Sequence, residues 1–300
     1  MAESDVRLDG DGRTVGVFGA TGFIGQRLVG VLREEGWKVV EFSRRAGEGR
    51  RSSEGVPDLS GLAGVVNLAG ESVAQRWTDS VRERLRSSRV ELTGRIVDAI
   101  GPLPEAERPR WLVNASAIGF YGDGGEGELT EQAACGDGYL AELCRDWEEA
   151  AQGAAEHGVR VVAIRLGIVL GRGGDAWTRL SRVFKLGGGG KLGNGRQWMP
   201  WVHVDDVVGA IRFVIGQPGF AGAVNVTAPG VVRNAEFTRV LAERVRRPAV
   251  FRVPGFALKL ALGGFGGTLV ESARVVPQRL REAGFEFRYP GLEAALEELV

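Results

Sequence analysis

Short runs of β-branched and aliphatic residues alternate along this chain with longer stretches in which apolar residues return every third or fourth position. Residues 13–18 (RTVGVF) read as a strand. Residues 23–36 (FIGQRLVGVLREEG) read as a helix with Ile24, Leu28, Val31 and Leu32 on one face and Gly36 as its stop. Strands are predicted again over 37–42 (WKVVEF) and 63–69 (AGVVNLA), then a long polar-faced helix over 78–100. Strand 110–116 (RWLVNAS), a helix over roughly 139–157 and strand 159–166 (VRVVAIRL) bring the βαβ rhythm to five strands. That rhythm predicts an α/β fold, a parallel sheet covered by helices. Beyond it the pattern turns irregular. Residues 186–201 (LGGGGKLGNGRQWMPW) form a glycine-rich loop region, followed by a helix over 203–216 and a strand over 222–227. Residues 234–300 read as mostly helical, and no period repeats.

Composition narrows the picture. The 300 residues are 44% apolar and 25% charged, ordinary for a globular chain with a substantial core. Acids and bases balance at 38 each, so no global field draws the chain to nucleic acid or to an anionic membrane; neither partner is expected, with only a local patch for nucleic acid left open. No apolar run approaches a membrane span. The opening MAESDVRLDGDGR is acidic and polar, unlike a signal peptide, so residues 1–12 are expected to be a disordered leader and the chain cytoplasmic. Cys135 and Cys144 with His157 and His203 give neither a disulfide framework nor ligand spacing, so no metal is expected. The only lysines are Lys38, Lys185, Lys191 and Lys259, which leaves none between Lys38 and Lys185.

The first chemistry lies in VGVFGATGFIGQRL, which places Gly19, Gly22 and Gly25 between a predicted strand and a predicted helix. That context gives the spacing its meaning. Gly19 permits the tight turn, Gly22 lets a pyrophosphate approach the backbone, and Gly25 lets helix pack close to strand. The helix start, with Thr21, Phe23 and Ile24, then offers free N–H groups and a positive dipole end to phosphates. An acid at the end of the second strand would select NAD(H) by accepting from the ribose hydroxyls. This chain has Ser43, Arg44 and Arg45 there, groups suited to a 2′-phosphate, so NADP(H) is expected.

With GATGFIG, NLAGES (67–72), NASAIGFYGD (114–123) and WVHVDDVV (201–208) in order, the chain resembles the extended short-chain dehydrogenase/reductases. More narrowly, RWT, SSRVELT, RLGIVLG, GNGRQWMPWVHVDD and REAGFEFRYPGLEAAL resemble the NAD(P)-dependent epimerase/dehydratase branch often labelled cell-division-inhibitor-like. The resemblance implies a Rossmann-type doubly wound parallel sheet with a smaller, mostly helical substrate lobe, and NADP(H) as cofactor. The binding domain would span 13–168, completed by about 203–228, with 169–202 and 229–300 forming the lobe. By position, Leu68, Ala69 and Gly70 would line the cofactor's path, Asp58 and Leu59 would contact adenine, and Arg165 and Val169 would lie near the nicotinamide end.

The resemblance also implies a proton-transfer pair, a tyrosine with a lysine four residues later, beside a serine or threonine that holds the substrate oxygen. Tyr139 fits the tyrosine slot, and Ser116 ends its strand where that hydroxyl is needed, though one residue further from Tyr121 than extended members usually place it. Leu143 fills the lysine slot. A tyrosine with a pKa of about 10 needs roughly 4 kcal/mol of differential stabilisation to reach neutrality. Leucine contributes none. Tyr139 is therefore either a weakened or altered proton donor or a packing residue. Arg196, Gln197, Trp198 and Trp201, with Trp77, would face a polar, ring-containing small-molecule substrate or else belong to the core. Asp205 and Asp206 read as an acidic helix start, with His203 orienting backbone. The sequence supports an NADP(H)-dependent oxidoreductase or epimerase with a degenerate Tyr-x-x-x-Lys pair, acting on a small molecule. The alternative is a non-catalytic NADP(H)-binding redox sensor or structural protein. Monomer and homodimer both remain open.

Overall fold

The computed structural model describes residues 13–42 and 56–300. The expected leader, Ser43 and Arg44 lie outside the described residues. Six strands, β1 (Thr14–Phe18), β2 (Lys38–Phe42), β3 (Gly64–Asn67), β4 (Trp111–Ala117), β5 (Arg160–Leu166) and β6 (Gly222–Val226), form one sheet in the order β6-β5-β4-β3-β1-β2. Every pairing in it is parallel. A parallel sheet is buried on both faces, and the central strands accordingly read as apolar runs: β3 is buried throughout and β4 is buried from Trp111 to Ser116.

Helices cover it. The helices are α1 (Phe23–Glu34), α2 (Asp79–Arg86), α3 (Leu92–Ile100), α4 (Tyr139–Gln152), α5 (Asp175–Lys185), α6 (Val204–Gly216), α7 (Asn234–Val245), α8 (Gly255–Leu262), α9 (Gly264–Thr268), α10 (Gln278–Glu282) and α11 (Leu292–Leu299). One core packs α1 and α6 against the sheet through Leu28, Leu32, Val207, Ile211 and Val214, and another packs α3 through Ile96 and Ile100. A third core, with Trp201, Phe237 and Leu296, belongs to the lobe.

The helix expected over 78–100 is interrupted. Residues Ser87–Glu91 form a π-helical turn between α2 and α3. The inward positions Val81, Leu85, Arg89 and Thr93 recur every four residues, a stripe that an α-helix rotates by about 40° per step. A wider turn absorbs such drift, and π turns concentrate at functional sites. The glycine-rich stretch is likewise more ordered than loop chemistry suggests. Gly190–Leu192 pairs with Phe251–Val253, and Trp198–Met199 with Val232–Arg233.

The lobe closes the outer edge of β6. Glu131 Oε1 accepts from the amides of Asn225 (3.1 Å) and Arg279 (3.2 Å), and Arg279 Nη1 donates to the carbonyls of Ala221 and Ala223 at 2.8 and 2.5 Å. Asn225 Nδ2 donates to Val276 O at 3.0 Å. Strand Glu128–Leu129 pairs with Arg274–Val275 beside these contacts.

Candidate functional site

The turn after β1 is shaped by what a side chain would hit. Gly19 has φ +77°, and a Cβ there would sit 2.8 Å from Ala69 N and from the Leu68 carbonyl carbon. At Gly25 a Cβ would lie 2.1 Å from Gly19 O, so this glycine lets α1 lie against the strand end. Gly22 caps α1 with no side-chain hydrogen bond, Thr21 and Gly22 are exposed, and the first turn carries no acid. The result is an open helix N-terminus whose N–H groups and positive dipole end are available to an anion. Ile24 packs half-buried on the core beside it. Phe23 leans on the turn after the short strand Ile168–Leu170, where a Cβ on Gly171 or Gly174 would strike its ring at 2.5 or 2.7 Å.

Leu68, Ala69 and Gly70 border this turn. Leu68 N donates to Phe18 O at 2.9 Å, and Ala69 N to Asn67 Oδ1 at 3.2 Å. Asn67 is itself fixed, donating from Nδ2 to Asn114 Oδ1 (2.7 Å) and Thr93 Oγ1 (3.0 Å), while the Trp147 indole donates to the same Thr93 oxygen. Four buried polar groups thus hold the strand end in place without loose donors. At the expected adenine end, Asp58 Oδ1 accepts from Ser60 N (3.0 Å) and Ser60 Oγ (2.6 Å), a local turn. Leu59 is fully buried among Phe18, Phe42 and Leu62, so its side chain belongs to the core.

The expected catalytic hydroxyls are both engaged, and elsewhere. Ser116 is 2% exposed and donates to Glu148 Oε1 at 2.6 Å. Tyr139 donates to the carbonyl of Arg82 on α2 at 2.9 Å, with its ring against Trp77 and the Arg82 guanidinium. Burial pushes its phenol up, opposed by Arg82, Arg89 and Arg86. Leu143 is buried with Val81 and Leu85, an apolar filling where a lysine would stand. Cys144 next to it is a fully buried thiol, pushed up to about 12 by burial and then by Glu148. No hydrogen bond joins Ser116 to Tyr139 among the described residues. Lys185 and Lys191 stand exposed on the lobe.

Arg165 is committed too. Its Nε and Nη2 each reach Glu148 at 2.8 Å, Nη1 reaches the Tyr121 hydroxyl at 2.9 Å, and Phe120 stacks 3.4 Å from Cζ. Burial alone would lower this guanidinium, but the ion pair with Glu148 outweighs it and leaves it above the usual range. Arg165, expected near the nicotinamide end, is thus held in a network with Glu148 and Tyr121. Val169 is half-buried in a short strand, Ile168–Leu170, paired with Trp201–His203.

Besides Arg82, a cation reaches the surroundings of Tyr139 from the π turn. Arg89 is half-buried, and its Nη2 donates to Glu71 O at 2.9 Å. The guanidinium lies against Gly70, where a Cβ would meet Cζ at 3.1 Å, and 5.1 Å from the Trp147 ring centre. Burial lowers it, while Cys144, Tyr139 and Glu71 pull the other way. It therefore stands at the end of the Leu68–Gly70 path and within electrostatic range of the phenol. Sequence reasoning searched for a lysine on α4 and missed an arginine from the facing helix. The signal was an inward four-residue stripe with one charge in it.

The model of the NAD-dependent epimerase/dehydratase family matches residues 15–226. The chain belongs to that family. A domain of unknown function (DUF1731) matches residues 253–299. The family member called epimerase family protein SDR39U1 homolog, chloroplastic, of Arabidopsis thaliana is 38% identical over 96% of this chain and 86% of its own length. Epimerase family protein YfhF of Bacillus subtilis is 35% identical over 95% and 97%. Among solved structures, human epimerase family protein SDR39U1 with NADPH superposes with a TM-score of 0.87 at 31% identity, covering 95% of this chain and 98% of that one. A nucleoside-diphosphate sugar epimerase from Corynebacterium glutamicum gives 0.78 at 32% identity, over 95% of this chain and 57% of that one.

In this family member the aromatic residues expected to face a substrate divide. Trp201 is fully buried and donates to Gly230 O at 3.0 Å, so it is core and not a ligand wall. Trp198 is half-buried, with Arg233 at 4.3 Å and Arg274 at 5.0 Å from its ring. Gln197 Nε2 ties the loop to Leu192 O and Leu269 O, and Arg196 is exposed. Trp77, near Tyr139 and Phe265, bridges the lobe to α4. His203 caps α6 by accepting from Asp205 N at 3.2 Å, and Asp206 accepts from the amides of Arg288 (2.6 Å) and Tyr289 (3.0 Å). Asp206 is buried, and burial raises its carboxyl. These acids anchor the lobe to the start of α6.

Proposed function

We propose that this chain is an NADP(H)-binding oxidoreductase or epimerase of the extended short-chain dehydrogenase type, acting on a small molecule with an altered proton-transfer site. The carrying observation is the open, acid-free N-terminus of α1 at Gly19–Gly25, a cradle that glycine alone permits. NADPH in the solved human relative agrees with it. Phe23 and Ile24 would present backbone N–H groups to the pyrophosphate, and Leu68–Gly70 would flank the cofactor beyond β3. Arg89 would hold the ribose side in place of the lysine that Leu143 replaces. The cofactor, when bound, would supply a hydride as NADPH or accept one as NADP+.

The preference for the phosphorylated cofactor rests on Ser43 and Arg44 of the sequence. Charge-assisted bonds contribute about 1.5–3 kcal/mol each, so Arg44→Ala should weaken NADPH about ten- to a hundredfold and change NADH much less. Titrating both cofactors into wild type and variant tests this; equal losses defeat the assignment.

A second reading has its own support. With Ser116 held by Glu148 and Tyr139 by Arg82, both expected hydroxyls are occupied, which suits a protein that binds the cofactor as a redox signal without turnover. A panel of carbonyls, alcohols and nucleotide sugars separates the two: NADP(H)-dependent turnover of any supports the enzyme, and binding without turnover supports the sensor.

A further inference from the structure

Six of the eight large apolar side chains that stand exposed among the described residues fall in two stretches of the lobe, 183–186 and 250–260: Val183, Leu186, Val250, Phe251, Phe256 and Leu260. Phe256 and Leu260 are one turn apart on α8 and are 77% and 76% exposed. No residue of α8 is buried, although its sequence GFALKLAL has Lys259 as its only polar side chain. Apolar surface gathered this way marks an interaction site. The elements that carry it are joined. Phe251–Val253 pairs with Gly190–Leu192, Arg247 Nε donates to Lys185 O at 3.3 Å, and Val270 packs beside both Gly193 and Gly255.

Charge narrows the partner. Between Asp175 and Asp205, and between Glu243 and Glu271, the chain carries ten basic residues and no acid. Three of its four lysines, Lys185, Lys191 and Lys259, stand exposed there. Arg246, Arg247 and Arg252 are exposed beside Val250 and Phe251. Lys191, Arg246 and Arg247 also border a groove of about 530 Å³ along α7, where the carboxylate of Glu243 is held by Arg239 at 2.8 and 2.9 Å. In a chain of zero net charge this is a local cationic field around apolar tips.

We propose that this face docks peripherally on an anionic lipid surface, Phe256, Leu260 and Phe251 entering the interfacial layer while the lysines and arginines meet headgroup phosphates. Aromatic and aliphatic tips with flanking cations are the chemistry of interfacial binding, which needs apolar area and anionic attraction together. A second copy of this chain fits less well, because a two-fold pairing of this face with itself would set cation against cation. Nothing here requires a membrane-crossing helix, and no helix among the described residues is long and apolar enough to be one.

The test is co-sedimentation of the full chain with phosphatidylcholine vesicles, with and without phosphatidylglycerol. The expected result is partition onto the anionic vesicles alone, weakened by salt. Lys185→Glu and Lys259→Glu should each weaken it at least about fivefold, the ratio that ~1 kcal/mol per surface cation gives. Phe256→Ser with Leu260→Ser should abolish it. All variants should keep the melting temperature and NADPH affinity of wild type, since the face lies outside the cofactor cradle. Absence of binding, equal binding to neutral vesicles, or indifference to the Phe256 and Leu260 changes would overturn the proposal. So would self-association of wild type that the double serine variant alone dissolves, which would make the face a contact between copies.

Discussion

The two ends of the candidate cleft are made of different material. At the Gly19–Gly25 turn the site is backbone: a left-handed glycine, a close approach and an uncapped helix start, all within seven residues. At the Tyr139 end it is side chain, with Tyr139, Arg89, Ser116, Glu148 and Arg165 drawn from α4, the π turn, β4 and β5. A backbone site survives almost any change around it that spares its glycines. A side-chain site is only as good as the partners that packing selects, and here packing has turned two hydroxyls and one guanidinium toward one another's neighbours instead of toward a cleft. The family resemblance therefore carries binding further than it carries catalysis.

The contrast can be broken most forcibly at Glu148→Gln. It leaves the buried Arg165 without its carboxylate, so unfolding free energy should fall by about 3–5 kcal/mol, read by denaturant titration, while the cradle's intrinsic NADPH affinity persists below the new melting temperature. Gly22→Asp attacks the other end alone. A Cβ there would crowd Gly19 O at 3.1 Å while aspartate is a good N-cap, two small effects of opposite sign, so stability should change by less than about 1 kcal/mol. Its carboxylate takes the place of the phosphate, and NADPH affinity should fall about a hundredfold, ~2.7 kcal/mol. A cofactor that still binds tightly would mean that the pyrophosphate lies elsewhere.

Arg89 sharpens the side-chain end. Arg89→Leu should cost NADPH about tenfold, roughly one charge-assisted bond, with most of it restored in Arg89→Lys. The Tyr139 absorbance titration should move upward in the leucine variant, because a cation that favours the phenolate has gone. A variant that changes stability alone would reduce Arg89 to a packing residue. The smallest effect is expected from Tyr139→Phe, which removes one bond to the Arg82 carbonyl and should lower stability by about 1 kcal/mol without touching NADPH binding. If it also cut an NADPH-dependent rate a hundredfold, Tyr139 would be a working proton donor after all.

Legibility in the sequence followed the same division. Val15–Phe18, Val65–Asn67 and Val161–Leu166 announced themselves as strands because a parallel sheet buries both faces, and the glycines of the cradle did so because steric demands on them are local. The π turn was not legible from an apolar period that differs from helical by less than half a residue per turn. Nor was the fate of Ser116: whether a strand-end hydroxyl faces a ligand or a glutamate 32 residues away depends on where α4 sits. Trp201 illustrates the remaining limit, since an indole in a glycine-rich stretch reads alike whether it walls a pocket or, as here, fills the lobe's core.

The way the lobe meets β6 bears on how the molecule comes apart. An outermost strand normally offers its free amides and carbonyls to any passing chain. Here the outward amide of Asn225 is met by Glu131 and the outward carbonyl of Ala223 by Arg279, so the ladder ends on side chains. The Asn225 amide should consequently exchange with deuterium as slowly as amides at the centre of the sheet, opening only when the whole structure opens. The edge is then guarded against strand addition for as long as the C-terminal segment stays docked. A chain cut short before Arg279 would expose it, and precipitation of such a fragment, more than loss of any single contact, would be the visible sign that sheet and lobe are one cooperative unit.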